Sequence, residues 1–402
     1  MRLRSTRGLF IVALLTAKTA LATTDGPANY DARSVGMGGT GVSFIHNGAA
    51  VYHNPAALEG MKTFAATAVV SPFGPQLTTP LAGPDTEVES TRQYFPLFLV
   101  GAGYRVAKPL VIGAGVYASG GLGAKYENVE ALGGADLELG VAVIDIALPA
   151  VSFAITDRLS IGGAWRATYM SESIGQPLPM GMGTIETSLS GWSFLGAQLG
   201  VFFRPIDPLR LGFSYRTKMT ADLEGETTAP SPMGGEATLD TTSEFSTPHK
   251  FVLGGAYDVS REFMVALDAK YIMYKNSNKE LTTTTVIPML GEQSTTVPFD
   301  WKDVFGVGLG AEYHVVPEVP LRLGYTFSTS ATPEETAGSF VTPPGMVHGI
   351  HAGGGLELEN WAFDLGAAYA FVGSDVDSST QGPPGRYDFN VIILSLGATF
   401  RL

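Results

Sequence analysis

Residues 32–58 read A-R-S-V-G-M-G-G-T-G-V-S-F-I-H-N-G-A-A-V-Y-H-N-P-A-A-L. Gly36, Gly38, Gly39 and Gly41 fall close together, and glycine costs conformational entropy inside any regular element. At the far end Pro55 biases Asn54 away from the helical region. Residues 48–52 can therefore form at most one short helical turn. Such a run is neither a good strand nor a good helix, yet it is too apolar for a disordered tail. It reads as compact irregular chain packed inside something larger. A glycine-rich linker is the plainer alternative, and the remainder of the chain decides between them.

Beyond this stretch the chain has a period of two. In residues 209–216, Leu209, Leu211, Phe213 and Tyr215 share one face, while Arg210, Gly212, Ser214 and Arg216 share the other. Residues 159–166, 321–327 and 361–369 repeat the pattern, with Asp364 on the small face of the last. Alternation of this kind means strands with one apolar face. That face is rich in Tyr, Trp and Phe near strand ends, as in a lipid-facing band edged by aromatic girdles. Tight connections fall near 107–109, 156–158, 205–208, 259–261, 317–320 and 359–360. Between them lie long polar or Pro/Gly-rich stretches, near 74–93, 119–138, 172–185, 222–247, 276–298, 330–346 and 374–386, which read as loops. Strands counted between the connections number about 14, and an even number closes a single-chain bacterial barrel. The last strand, 390–402, puts Ile392, Leu394, Leu396, Ala398, Phe400 and Leu402 on one face.

Composition agrees with a barrel of one domain. The chain has 402 residues, 50 of them glycine, and only 16% are charged. A net charge of −13 argues against nucleic acid, which selects basic surfaces. There is no cysteine, hence no disulfide framework and no thiolate metal site. Arg2, Arg4 and Arg7 precede a short apolar run from 8 to 15, and Ala20-Leu21-Ala22 offers a small-residue cleavage site. This predicts a secretory leader over residues 1–22. No later stretch reaches the roughly 18 uninterrupted apolar residues of a transmembrane helix.

The opening stretch also resembles the N-terminus of the FadL/TodX-type outer-membrane transporters. The resemblance rests on Gly36, Met37, Gly38 and Gly39, then on Ala50, Val51, Tyr52, Asn54, Pro55, Ala56 and Leu58. It implies an antiparallel transmembrane β-barrel whose N-terminal segment plugs the lumen. In such proteins long-chain fatty acids or aromatic hydrocarbons pass. It further implies capture of substrate by outer loops and release through a kink in the third strand, here at Gly120, Gly121 and Gly123. Two departures stand out: His46-Asn47-Gly48 replaces the acidic residues usual there, and Leu402 replaces a final aromatic.

Catalytic and metal-binding patterns are weak beside this. His348 and His351 have a helical metal spacing, but on a strand positions i and i+3 face opposite ways. No nucleophile elbow or zinc signature is present, so neither enzyme nor metal site is expected, and no cofactor. The inward faces carry Arg166, Arg210, Arg216, Asp268, Lys270, Glu312, Arg322 and Asp364. They suit a polar lumen that fixes the plug or holds a ligand head group, although plain interior ion pairing explains any single one. Ile174, Leu178, Met180 and Met182, with Met233 from the next long stretch, are candidates for capturing a hydrophobic ligand, since methionine adapts to varied apolar shapes.

The expected organisation is a leader (1–22), a plug (23–60) and an all-β barrel (61–402) in the bacterial outer membrane. The expected function is passive uptake of hydrophobic molecules by a monomer in contact with membrane lipid and lipopolysaccharide. The alternative is a polar-solute porin, or a structural or adhesive barrel.

Overall fold

The computed structural model describes residues 31–81, 83–84, 86–178, 182–231 and 234–402. The expected leader and the first residues of the expected plug, 1–30, lie outside the described residues. Nineteen strand segments form one sheet, one of them the two-residue Val88–Glu89, and the sheet closes as a 14-strand antiparallel barrel. The first six spans are β1 (Phe64–Thr79), β2 (Phe95–Ala107), β3 (Leu110–Val129), β4 (Ala135–Thr156), β5 (Leu159–Pro177) and β6 (Thr184–Ile206). The next four are each built of two segments. These are β7 (Leu209–Arg216, Met219–Pro230), β8 (Glu236–Thr247, His249–Asp258), β9 (Phe263–Met273, Glu280–Ile287) and β10 (Gly291–Pro298, Val304–Val316). The ring ends with β11 (Val319–Thr329), β12 (Met346–Glu357), β13 (Trp361–Val376) and β14 (Gly385–Arg401). Each span pairs with its neighbours in order, and β14 returns to β1 from Ala65↔Arg401 to Thr78↔Asp388. The closed ring presents no open sheet edge to lipid, which is the condition for a β-structure to cross a membrane.

The wall follows the two-residue period of the sequence. Along β13, Trp361, Phe363, Leu365, Tyr369 and Phe371 are exposed while Ala362, Ala368, Ala370 and Val372 are buried. Aromatic residues edge the outer face. Tyr104, Phe153, Phe203, Tyr257, Tyr313 and Trp361 lie beside the tight turns, and Trp192, Tyr271, Phe305 and Phe371 lie toward the other rim. On β14, Leu394 and Leu396 are outward and exposed, as the alternation requires, and Leu402 just beyond it is exposed too.

The tight connections fall where the sequence places them, but most of the long polar stretches are not loops. Residues 222–247 form a hairpin extension of β7 and β8, paired from Glu236↔Pro230 to Thr247↔Met219. Residues 276–298 contain a second, paired from Glu280↔Pro298 to Ile287↔Gly291. Likewise β3 runs through 119–129 and β5 through 172–177. Above the lipid a strand needs no apolar face, so its alternation fades although the backbone ladder continues. The stretch 330–345 is irregular apart from a short 3-10 turn (Glu334–Thr336).

Inside the ring lie residues 31–61, almost all buried. They form helix α1 (Ala32–Gly36), helix α2 (Ala50–His53) and a 3-10 helix (Pro55–Gly60). The irregular reading of 32–36 is thereby corrected: one helical turn forms there, closed by the Val35 amide donating to the Asp31 carbonyl at 2.8 Å. Asn54 is extended, with φ −161° and ψ 105°, as Pro55 demands. Its side chain accepts from the Ala56 amide and so caps the 3-10 helix.

Candidate functional site

The N-terminal segment is held to the wall on all sides by two kinds of contact. The first is polar, made of ion pairs and hydrogen bonds from side chains of the wall. Arg33 grips Glu312 on β10 through two bonds of 2.9 and 2.6 Å. Arg322 on β11 reaches the same carboxylate at 2.6 Å and Asp364 on β13 at 2.6 Å. Asp268 on β9 accepts from the amides of Gly41 and Val42 at 2.8 and 3.2 Å, while Lys270 donates to the Gly39 carbonyl at 3.0 Å. Arg216 on β7 donates to the Tyr52 carbonyl, and Gln198 on β6 donates to it at 3.0 Å. His351 on β12 donates to the Val35 carbonyl at 2.7 Å. Ser152 on β4 and Ser160 on β5 both donate to the Ala56 carbonyl at 2.8 Å. The bonds made by Arg33, Arg216, Asp268, Lys270 and Arg322 are charge-assisted, and such bonds are stronger than the neutral ones of Gln198, His351, Ser152 and Ser160.

The second kind is close backbone contact through glycine. Gly38 has φ +66°, and a Cβ there would sit 2.2 Å from the Leu309 carbonyl oxygen. Gly48 and Gly101 of β2 face one another so closely that a Cβ on Gly101 would lie 2.3 Å from the Gly48 oxygen. Gly36, Met37, Gly38 and Gly39, with Asn54, Pro55 and Ala56, are all buried. Asn54 donates to the carbonyls of Val42 and Val201, each at 3.0 Å.

Of the lumen charges read from sequence, Arg216, Asp268, Lys270, Glu312 and Arg322 bind the segment or its partners. Asp364 joins them through Arg322. Arg166 instead pairs with Asp145 on the neighbouring strand, and Thr168 donates to the same carboxylate. Arg210 pairs with Asp258 near a tight turn. His348 and His351 face opposite ways: His348 meets the Tyr325 hydroxyl at 2.6 Å on the exposed side, and His351 points inward. Sequence reading missed Arg33, Asp145 and Gln198, although each lies on the small face of an alternating run or within the opening stretch.

Burial also sets the protonation of this segment. Burial pushes the Asp31 carboxyl up to about 6, with Asp364 adding to it and Arg33 and Arg322 opposing. Burial lowers His46 to about 4, against the bond to the Ala57 carbonyl, which raises it. His53 is held well below the usual histidine range, by burial first and by Arg216, Lys270 and Lys250 after it. Its Nε2 lies 3.9 Å from Asp31 Oδ2.

Further along the lumen the lining turns apolar. Val141, Val143, Met170, Leu189, Leu223, Phe245, Leu281, Phe299 and Trp301 form one buried cluster, in which Phe299 stacks on Trp301 at 4.6 Å. Ile174 lies on β5 rather than in a loop, half-buried against the larger core cluster. Leu178 is buried with Ile185 and Ala229, whereas Met182 is exposed. Met180 and Met233 lie outside the described residues.

The wall itself has a break. The ladder between β2 and β3 runs from Ala107↔Leu110 to Leu99↔Tyr117 and stops. It returns only as a single bridge, Thr91↔Lys125. Between those points residues 95–98 pair with β1 alone, from Phe73↔Phe95 to Val70↔Phe98. Residues 118–124 pair with β4, with a register shift between Ala118 and Gly120. Gly120, Gly121 and Gly123 thus sit within β3 and not after it, since β3 continues to Val129. The break is closed by side chains: a Cβ on Gly123 would lie 2.2 Å from the Phe95 ring. Tyr117, the last paired residue, meets Tyr52 of the N-terminal segment edge to face at 5.1 Å.

Comparison with known proteins agrees with this geometry. The profile of the outer membrane protein transport family (OMPP1/FadL/TodX) matches residues 13–401. The Neisseria meningitidis outer membrane protein NMB0088 is 25% identical over 166 residues, an alignment that spans 37% of this chain and 35% of that protein. The fold is that of the Ralstonia pickettii toluene transporter TbuX, at a TM-score of 0.76 and 19% identity over 94% of this chain and 99% of that one. It is also that of a Pseudomonas aeruginosa FadL homologue, at 0.77 and 14% identity over 95% and 99%. A closed 14-strand barrel with residues 31–61 packed against the inside of its wall, and a profile match over nearly the whole chain, makes this chain an outer-membrane protein of the OMPP1/FadL/TodX transport family.

Proposed function

We propose that the protein carries hydrophobic molecules inward across the outer membrane by passive diffusion. The observation that carries this reading is the apolar cluster around Met170, Leu189, Phe245 and Trp301 in the lumen. A barrel built for polar solutes keeps a polar, water-filled interior. Residues 31–61 occupying the ring argue further against an open polar pore. The likeness to solved structures described as a toluene transporter and a monoaromatic hydrocarbon channel supports the same class of cargo; long-chain fatty acids are the other candidate.

In this reading residues 23–60 are the plug and 61–402 the barrel. Ile174, Leu178, Met180, Met182 and Met233 capture ligand, and lipopolysaccharide surrounds the outer rim. Release is sideways, through the break between β2 and β3 beside Gly120, Gly121 and Gly123. An apolar molecule that leaves into the membrane avoids water, at about 0.8 kcal/mol per CH₂. Tyr117 against Tyr52 links that break to the plug. No catalytic step is involved.

The chain has no cysteine, so an engineered pair is unambiguous. Leu97→Cys with Ser119→Cys places thiols where the ladder would continue past Leu99↔Tyr117. Bridging them, by oxidation or with a short bis-maleimide, should block hydrophobic uptake, and reducing the oxidised form should restore it. Unchanged uptake through fully bridged protein would reject the sideways route.

A further inference from the structure

Glu172 lacks the kind of partner that holds the other acidic residues of the lumen. Glu312 is shared by Arg33 and Arg322, Asp145 holds Arg166 and Thr168, and Asp268 takes two backbone amides. Glu172 is 2% exposed, and neither of its carboxyl oxygens has a hydrogen-bond partner among the described residues.

Its surroundings follow from register. Residues directly opposite in an antiparallel ladder share a face. Val141 of β4 and Leu189 of β6 both pair with Glu172, so the carboxyl stands between them. Along β5 the same inward face carries Met170 on one side and Ile174 on the other. All four neighbours are apolar, and Val141, Met170 and Leu189 belong to the apolar cluster of the lumen. A leucine or methionine would fill the position without the desolvation cost of a bare carboxyl. A buried acceptor left open in an apolar lining is what a molecule with a donor group would complete, and what an analogue lacking that group would leave unpaired.

We propose that Glu172 receives the polar end of the transported molecule, so that the apolar part of the lumen prefers apolar molecules ending in a hydrogen-bond donor, amines foremost and alcohols after them, over hydrocarbons and carboxylates. This rests on the uptake function proposed above and narrows its substrate class. A carboxylate brings acceptors only to a group that already lacks a donor, and its own charge would be desolvated in the apolar lining, which discriminates against it. An alkane would leave the carboxyl as bare as before. The methionine beside it, Met170, is a side chain that repacks readily around ligands of different shape.

The test uses the intact protein, purified in detergent and loaded separately with dodecylamine, 1-dodecanol, dodecane or dodecanoate. Retained probe is measured after gel filtration. Dodecylamine should be retained at least roughly tenfold more than dodecane or dodecanoate, with dodecanol between, a preference of the size a buried polar partner can give. E172L should remove the preference while keeping dodecane retention. E172Q keeps size and hydrogen bonding and should lose the amine's advantage over the alcohol. Heat-dependent gel mobility reports that each variant has kept its barrel. Equal retention of all four probes by the unmodified protein overturns the proposal and leaves hydrophobic uptake standing, as does a preference that survives in E172L. Retention of none of them overturns both.

Discussion

At the scale of single residues, the lumen is organised by which charges find partners. Breaking a buried ion pair by removing one member costs about 3–5 kcal/mol, so the Arg33–Glu312–Arg322–Asp364 chain makes displacement of the N-terminal segment expensive. Protonation acts on the same contacts. The Asp31 carboxyl lies at about 6 in the folded protein, against 3.8 for an unperturbed aspartate. Between those values the folded chain holds a proton that the unfolded chain has lost, so this group's contribution falls as pH rises from 4 to 6. The full shift corresponds to about 3 kcal/mol at most. His46 works in the opposite sense, at about 4 folded against 6.5. There the unfolded chain holds the extra proton, and stability rises with pH over nearly the same window. His53 adds to the His46 side. The two histidines together outweigh Asp31, so stability rises with pH over this window. Melting temperature in detergent should therefore rise more steeply from pH 4 to 6 in Asp31→Asn, and flatten or reverse in His46→Gln. Three parallel profiles would show that neither group titrates as its burial requires.

At the scale of elements, glycines of the wall do for the backbone what the ion pairs do for side chains. Gly101 on β2 lets the chain at Gly48 lie directly against the strand, and Thr67 on β1 accepts from the Gly48 amide at 3.1 Å. Gly101→Val adds methyl groups into that contact, where a Cβ already meets Gly48 and Val51. Overpacking of this kind costs about 1–3 kcal/mol, and it falls on the docked segment rather than on the barrel. The variant should insert normally and show ion conductance in planar bilayers above that of the unmodified protein. Conductance and melting temperature both unchanged would mean that the contact at Gly48 does not hold the segment. The break between β2 and β3 belongs to this scale as well. The register shift at Ser119 turns β3 so that its β2 side is unpaired over several residues, and the Phe95 ring fills the space that Gly123 leaves.

At the scale of the whole molecule, a ring of 14 strands is wide enough to conduct if nothing fills it. Residues 31–61 lie inside it, bonded to its wall. Removing them should give large, steady conductance in planar bilayers, with heat-dependent gel mobility showing that the barrel still closes from β1 to β14. If the shortened and intact proteins conduct alike, the segment does not seal the lumen. An intermediate level for Gly101→Val would place partial undocking between the two.

The sequence by itself determined the class of the molecule and the sidedness of its strands. Lipid outside and close contact inside impose a period of two that is local, so 209–216 or 361–369 can be read without knowing their neighbours. The tight turns were legible for the same reason, as was the compact character of 32–58. Tertiary structure decided what depends on residues distant in the chain. Arg33 meets Glu312 across a separation of 279 residues, and no local pattern names that partner. The stretch 222–247 looked like a loop because above the membrane neither face of a strand must be apolar, and only its pairing reveals the hairpin. The unpaired side of β3 and the bare carboxyl of Glu172 were hidden for one physical reason. Each is a missing contact, and a missing contact is set by the register of two other strands rather than by the residue itself.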